Sequence, residues 1–293
     1  MDLVRKATVA GQFYAGTKER LLQEIEESFL HNFGPGTIPH IDKMGKKLIG
    51  IIAPHAGYSC SGPIAAHAYS AIAKDGFADA FIILGPNHIG VGSGVALYPS
   101  GYWETPLGKI EIDHNLVKKL TCGIIDLDET AHKSRENSIE VQLPFLQYFG
   151  KEFSFAPISM AMQDFDTAMD VGEAIAHAIK EDGRRIIIIA SSDFSHEGLA
   201  YGRTHPQEYR VNEYAEKQDK LAIEKILKMD PKGLVTTVHN NNISMCGYGP
   251  VAAMLKASEI LGAKHVELLK YGTSYDVYPD SSACVGYGAL TVY

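Results

Sequence analysis

Five residues stand out for the chemistry they could do together. "IIAPHAGYS" delivers His55, "IILGPNHIG" delivers His88, and "IIIIASSDFSH" delivers Asp193 and His196, each a few residues past an unbroken apolar run. Cys246, in "SMCGYGP", sits between a methionine and a glycine just before a helical pattern. Imidazole and thiolate suit iron, zinc or copper, whereas Mg and Ca prefer oxygen. Two or three histidines with a carboxylate or thiolate at one edge therefore suit a divalent transition metal. A helix N-terminus lowers a thiol's pKa and favours the thiolate that metals bind, which adds Cys246 as a candidate. Taken singly, each residue has a plainer reading. A histidine after a strand usually bonds to backbone, an aspartate there can cap a turn, and a free cysteine packs as a small hydrophobe. Three strand ends sharing the feature favour the chemical reading.

That reading requires elements that bring the strand ends together. "KLIGIIAPH" (47–55), "AFIILG" (80–85), "FSFAPIS" (153–159) and "RRIIIIASSDFSH" (184–196) read as strands or strands entering loops. Unbroken apolar runs of five or six residues imply burial on both faces. Helical patterns alternate with them: "PIAAHAYSAIAK" (63–74), with Pro63 at a first helical position and Ser61 and Gly62 as capping candidates; "SIEVQLPFLQYF" (138–149), bent or restarted at Pro144; "TAMDVGEAIAHAIKE" (167–181); "EYAEKQDKLAIEKILKM" (213–229); and "GPVAAMLKASEILG" (249–262). "HVELLKYG" and "SACVGYGALTVY" read as closing strands, and "KIEID" (109–113) as a short antiparallel one. In "GPNH", Gly85 and Pro86 read as the turn that aims His88. The alternation predicts one α/β domain over residues 1–293, with a central mostly parallel or mixed sheet flanked by helices. In such sheets ligands bind beyond the carboxyl ends of the strands, where these polar residues fall.

Composition narrows the function classes. The chain has 293 residues, 45% hydrophobic, with a formal net charge of -8. A negative chain without a Lys/Arg block is a poor partner for nucleic acid or anionic membranes. No apolar run approaches the roughly 20 residues of a membrane helix, and the N-terminus lacks the apolar core of a secretory signal. Cys60, Cys122, Cys246 and Cys284 are widely spaced with no C-x-x-C, which argues against a zinc ribbon or thioredoxin-type pair and fits a reducing cytoplasm. "GYSCSG" lacks the Lys-Ser/Thr of a phosphate loop. "SSDFSH" lacks the elbow of α/β-hydrolases.

At these residues the sequence resembles a known family. "AGQFY" (10–14), "APHAGY" (53–58), "GPNH" (85–88), "ENSIEVQLPFLQ" (136–147), "SSDFSH" (191–196), "CGYGP" (246–250) and "GALTVY" (288–293) occur in the order of the Memo family, whose bacterial and archaeal members are also called the B protein of the AmmeMemoRadiSam system. The resemblance covers essentially the whole chain. It implies a fold similar to class III extradiol dioxygenases, which are non-haem iron enzymes. It also implies that His55, His88 and Cys246 are metal ligands. Asp193 and His196 would line the same pocket, His196 in the position of an acid/base, and Tyr14 would close the site. Glu136 and Asn137 would belong to the substrate pocket. Many relatives carry "EHSIE" where this chain has "ENSIE", so Asn137 stands in place of a histidine; some carry an aromatic where this chain has Glu197.

The resemblance implies Fe(II) as the cofactor, with zinc or copper as alternatives, and iron-dependent redox chemistry on an unidentified substrate. The competing readings are a zinc-dependent hydrolase and a pocket that binds a small molecule or peptide, or handles metal, without turnover. A functional association with a radical-SAM protein and the remaining AmmeMemoRadiSam component is implied by that name, and a homo-oligomer is open.

Overall fold

The computed structural model describes residues 3–42, 45, 47–121, 123–133 and 135–293; Cys122 lies outside them. Four parallel strands form the centre, in the order Ser154–Met160, Ala80–Pro86, Ile186–Ser191 and Gly50–Ala53. All but one of their residues are buried, because helices cover both pleat faces. Helix Tyr58–Asp75 packs on Gly50–Ala53 and on the antiparallel strands Cys284–Val292 and Val266–Thr273. Helix Tyr248–Ile260 packs on Ala80–Pro86, Ile186–Ser191 and Gly50–Ala53, and against helix Phe165–Asp182. The last of these starts where the Asp164 carboxylate accepts from Thr167 N and stops at Gly183, whose φ of 79° is left-handed.

Cys284–Val292 pairs antiparallel with Gly50–Ala53, and Val266–Thr273 pairs antiparallel with Cys284–Val292. On the opposite side, Gly108–Ile112 runs parallel to Ser154–Met160 and is followed by Tyr102–Thr105 and Val4–Arg5. Among the described residues the sheet is mixed and has twelve strands, matching the expected α/β class. No helix among those residues is long and apolar enough to cross a membrane.

The register levels the three strand ends that carry the candidate residues. Ile52 pairs with Ala190, and Ala190 with Leu84. His55, Asp193 and His88 follow those three residues by only three or four positions, so they leave the sheet at nearly the same height.

Two local expectations need correction. The helix begins at Tyr58, not Pro63, and Pro63 lies inside it. Proline has no N–H to give Ser59, but the first turn is held from outside: Tyr58 N donates to Phe13 O, its hydroxyl donates to Val141 O, and Ser61 Oγ donates back to Ala56 O. Ser61 and Gly62 are thus helical residues rather than caps. Gly85 and Pro86 remain in the strand, paired with Ser159 and Met160. The turn comes after them, where Asn87 Oδ1 accepts from Gly90 N and its Nδ2 donates to Val91 O. Near Pro144 the expectation holds: a 3-10 turn, Glu140–Gln142, gives way to helix Leu143–Tyr148.

Candidate metal centre

One ligating atom from each of His55, His88 and Cys246 lies within 4.8 Å of the other two. The imidazoles of His55 and His88 meet edge to face, with centroids 5.1 Å apart. Cys246 Sγ is 3.2 Å from His55 Nε2. His55 comes from the loop after Gly50–Ala53 and His88 from the turn after Ala80–Pro86. Cys246 precedes helix Tyr248–Ile260, whose N-cap is Gly247. A side chain at residue 247 would place its Cβ 2.6 Å from Ser191 O and 2.7 Å from Ser192 Cβ. Only glycine lets this loop sit against the strand end and bring the thiol to His55.

Hydrogen-bond accounting fixes which nitrogen each histidine offers. Gln142 Oε1 accepts from the Tyr69 hydroxyl and its Nε2 donates to Pro54 O, which sets the amide orientation. The same Nε2 donates to Ser191 Oγ at 2.8 Å, and Ser191 Oγ spends its single proton on Ser138 O. Facing His55 Nδ1 at 2.9 Å, the serine can then only accept. His55 therefore carries its proton on Nδ1 and directs the Nε2 lone pair at Cys246. His88 is held similarly. Glu136 accepts from His88 N at 2.6 Å and faces His88 Nδ1 at 3.1 Å, while Ser138 N and Oγ donate to the same carboxylate. A carboxylate behind one imidazole nitrogen leaves the other for a metal and raises its basicity.

The electrostatics agree with this division. Burial pushes His55 down to about 4, so its ring is neutral near pH 7, as a ligand must be. Burial opposes charge on His88, but the Glu136 hydrogen bond and charge outweigh it and raise its pKa. Burial works against the Glu136 carboxylate too, yet His88 and Ser138 hold it down at about 2, ionised. Burial also pushes the Cys246 thiol well above its ordinary value. The helix N-terminus alone does not produce the thiolate anticipated from the sequence; a cation between Sγ and His55 Nε2 would. Metal–nitrogen bonds of about 2.0–2.1 Å and metal–sulfur bonds of about 2.3 Å need donors roughly 3–4 Å apart. The three donors fit that requirement with small adjustments.

The remaining sequence candidates are placed as follows. Asp193 Oδ1 accepts from His55 N at 2.7 Å and Ala56 N at 3.3 Å, and its Oδ2 lies 3.9 Å from His55 Nε2. His196 directs Nδ1 at the carbonyls of Phe194 and Ser244, 3.1 and 3.2 Å away, which leaves Nε2 as its acceptor. Asn137 Nδ2 donates to His55 O, steadying the loop of that ligand. Tyr14 is buried, and its hydroxyl donates to Glu140, which also pairs with Arg5 and accepts from Thr8 N and Val9 N. That bond ties the N-terminal segment to residues 136–142. Ser191 and Gln142 escaped the sequence reading, although both lie within its motifs. The only available signal was a polar residue closing the otherwise apolar run before Asp193.

Comparison with known proteins adds an independent line. A family model described as Memo-like protein matches residues 5–291. A MEMO1 family protein of Methanothermobacter thermautotrophicus is 47% identical over 99% of this chain and all of its own length. Another, of Methanopyrus kandleri, is 46% identical over 98% of both chains. A third, of Pyrobaculum aerophilum, is 42% identical over 99% of both. Among solved structures, the uncharacterized protein JW3007 of Escherichia coli K12 superposes with a TM-score of 0.50 at 13% identity, covering 83% of this chain and 99% of its own. That likeness concerns the fold alone.

Proposed function

Because the chain belongs to the Memo-like family, we propose that it binds one divalent transition metal through His55 Nε2, His88 Nε2 and Cys246 Sγ and acts as an oxidoreductase of the non-haem iron type on an organic ligand. One observation carries the metal reading: Ser191 and Glu136 occupy the Nδ1 side of each histidine, while His55 Nε2 lies 3.2 Å from Cys246 Sγ and a ligating atom of His88 lies within 4.8 Å of a donor on each of the other two. The redox reading rests on the donor set, since two imidazoles and a thiolate suit Fe(II), with zinc and copper also compatible. When bound, Fe(II) supplies open coordination positions and a redox couple. His196 takes or returns a proton at Nε2. Asp193, fixed through Oδ1 by two backbone N–H groups, orients a polar group near His55 with Oδ2. The His88 side chain is 36% exposed while those of His55 and Asp193 are buried, so the pocket opens on the His88 side.

Metal content after anaerobic purification tests the proposal. His55→Ala and His88→Ala should each lose the metal while remaining folded, and Cys246→Ser should weaken binding of a soft metal more than Asp193→Asn does. Unchanged metal in both histidine variants would refute the ligand set. The reverse order for the other two would make Asp193 the third ligand. Full zinc occupancy that iron cannot displace would favour hydrolysis, and no O₂ uptake by the iron form across a broad panel of diols would favour binding without turnover.

A further inference from the structure

The segment after His196 forms a pinned loop that packs back on His196. Glu197 pairs antiparallel with Cys284 and is fully buried. Its Oε1 accepts from Arg203 Nε at 3.1 Å, so one ion pair closes the five residues Gly198–Gly202 into a loop. Inside it, Tyr201 N and Arg203 N both donate to Gly198 O, Gly202 N donates to Leu199 O, and Ala200 N donates to Ser282 O. Gly198 has φ of 105° and its missing Cβ leaves room for Ser282 O; Gly202 has φ of 67°. Both ends thus use backbone conformations that favour glycine. Arg203 Nη2 also donates to Asn242 O, and Ser244 Oγ links His196 N and O to Glu197. The Cys246 loop is therefore fastened to the same clamp.

The loop presents Tyr201. Its ring stands edge to face on His196, with centroids 5.2 Å apart, and is 45% exposed. Leu199 beside it is 73% exposed. Burial raises the pKa of the Tyr201 hydroxyl, and the Asp193 charge adds to the effect. Tyr201 is thus a large aromatic packed against the proposed acid/base, on a loop that the Glu197–Arg203 ion pair closes.

We propose that Tyr201 is a specificity-determining wall of the metal pocket, limiting the size of ligand that reaches His196 and Cys246, and that Arg203, through Glu197, is the residue that positions it. The proposal rests on the pocket described above, but its test does not require a metal. Cys246 of the metal-free protein is alkylated with iodoacetamide and, separately, with the bulkier N-phenylmaleimide, and labelling is followed by peptide mass spectrometry. Tyr201→Ala should raise the N-phenylmaleimide rate relative to the iodoacetamide rate about fivefold or more. Tyr201→Phe, which keeps the ring, should stay within about twofold of wild type, and Arg203→Met should move in the direction of Tyr201→Ala. An unchanged ratio in Tyr201→Ala, or no labelling of its Cys246 by either reagent, would overturn the proposal. If Arg203→Met does not fold, the two tyrosine variants still decide the role of Tyr201, and Arg203→Lys, which restores a cation, should keep the wild-type ratio if the clamp positions the ring. Loss of metal in His55→Ala and His88→Ala alongside an unchanged Tyr201→Ala ratio would sink this inference and leave the metal proposal standing; the opposite pair of results would do the reverse.

Discussion

At the scale of single residues, the centre depends on what stands behind each ligand. His55 and His88 were legible in the sequence because each follows an apolar run with a metal-ligating atom, and Cys246 because it is a thiol just before a helical pattern. Their supports were not legible. Glu136 reads from its motif as part of a substrate pocket, whereas the structure spends its carboxylate on His88, 48 positions away, and on Ser138. Asn137, read as a pocket residue in place of a histidine, gives its amide N–H to His55 O. Nothing in local pattern reports a pairing over such separations. Glu136→Gln keeps the shape but removes the charge behind His88, and loss of such a partner typically costs 10- to 100-fold in metal affinity. We expect a drop of about tenfold, measured by competition with a chromophoric chelator. Wild-type affinity in that variant would mean that His88 does not depend on Glu136 for its orientation.

At the scale of elements, burial decided what could be read. The central strands are buried on both faces and announce themselves as apolar runs of the right length. Helix Pro231–Asn240 did not announce itself, although Asp230 caps it by accepting from Gly233 N and proline occupies its first turn. It spans only ten residues, with Gly233 and two threonines weakening its apolar periodicity. The start of helix Tyr58–Asp75 was missed because its first turn is held by Phe13 and Val141, distant partners rather than a local cap. The join between the Cys246 loop and the end of Ile186–Ser191 belongs to this scale as well. Gly247→Ala pushes a methyl group into Ser191 O and Ser192, and overpacking of this kind costs about 1–3 kcal/mol. A lower urea midpoint with unchanged m-value is the expected result, together with weakened metal binding. An unaltered midpoint would show that the loop can move away from the strand without penalty.

At the scale of the whole molecule, the sheet class and the convergence at its carboxyl edge followed from sequence, while the long-range fastenings did not. Arg5 reaches Glu140 at 2.6 Å across most of the first half of the chain, with both side chains buried. Severing such a pair costs about 3–5 kcal/mol because one charge is left unmet. Asp219, in helix Val211–Leu227, accepts from Ser195 N and from the Tyr271 hydroxyl, joining the His196 loop to that helix and to strand Val266–Thr273. These contacts fasten residues 136–142, which support His55 and His88, and the His196 loop beside the proposed assembly of residues 55, 88 and 246. The most direct test of that assembly is X-ray absorption at the metal K-edge of the zinc-loaded protein. The proposed ligand set predicts two histidine nitrogens near 2.0–2.1 Å and one sulfur near 2.3 Å, with the sulfur shell absent from Cys246→Ser. A first shell of oxygen alone, or a sulfur shell that survives in Cys246→Ser, would contradict it.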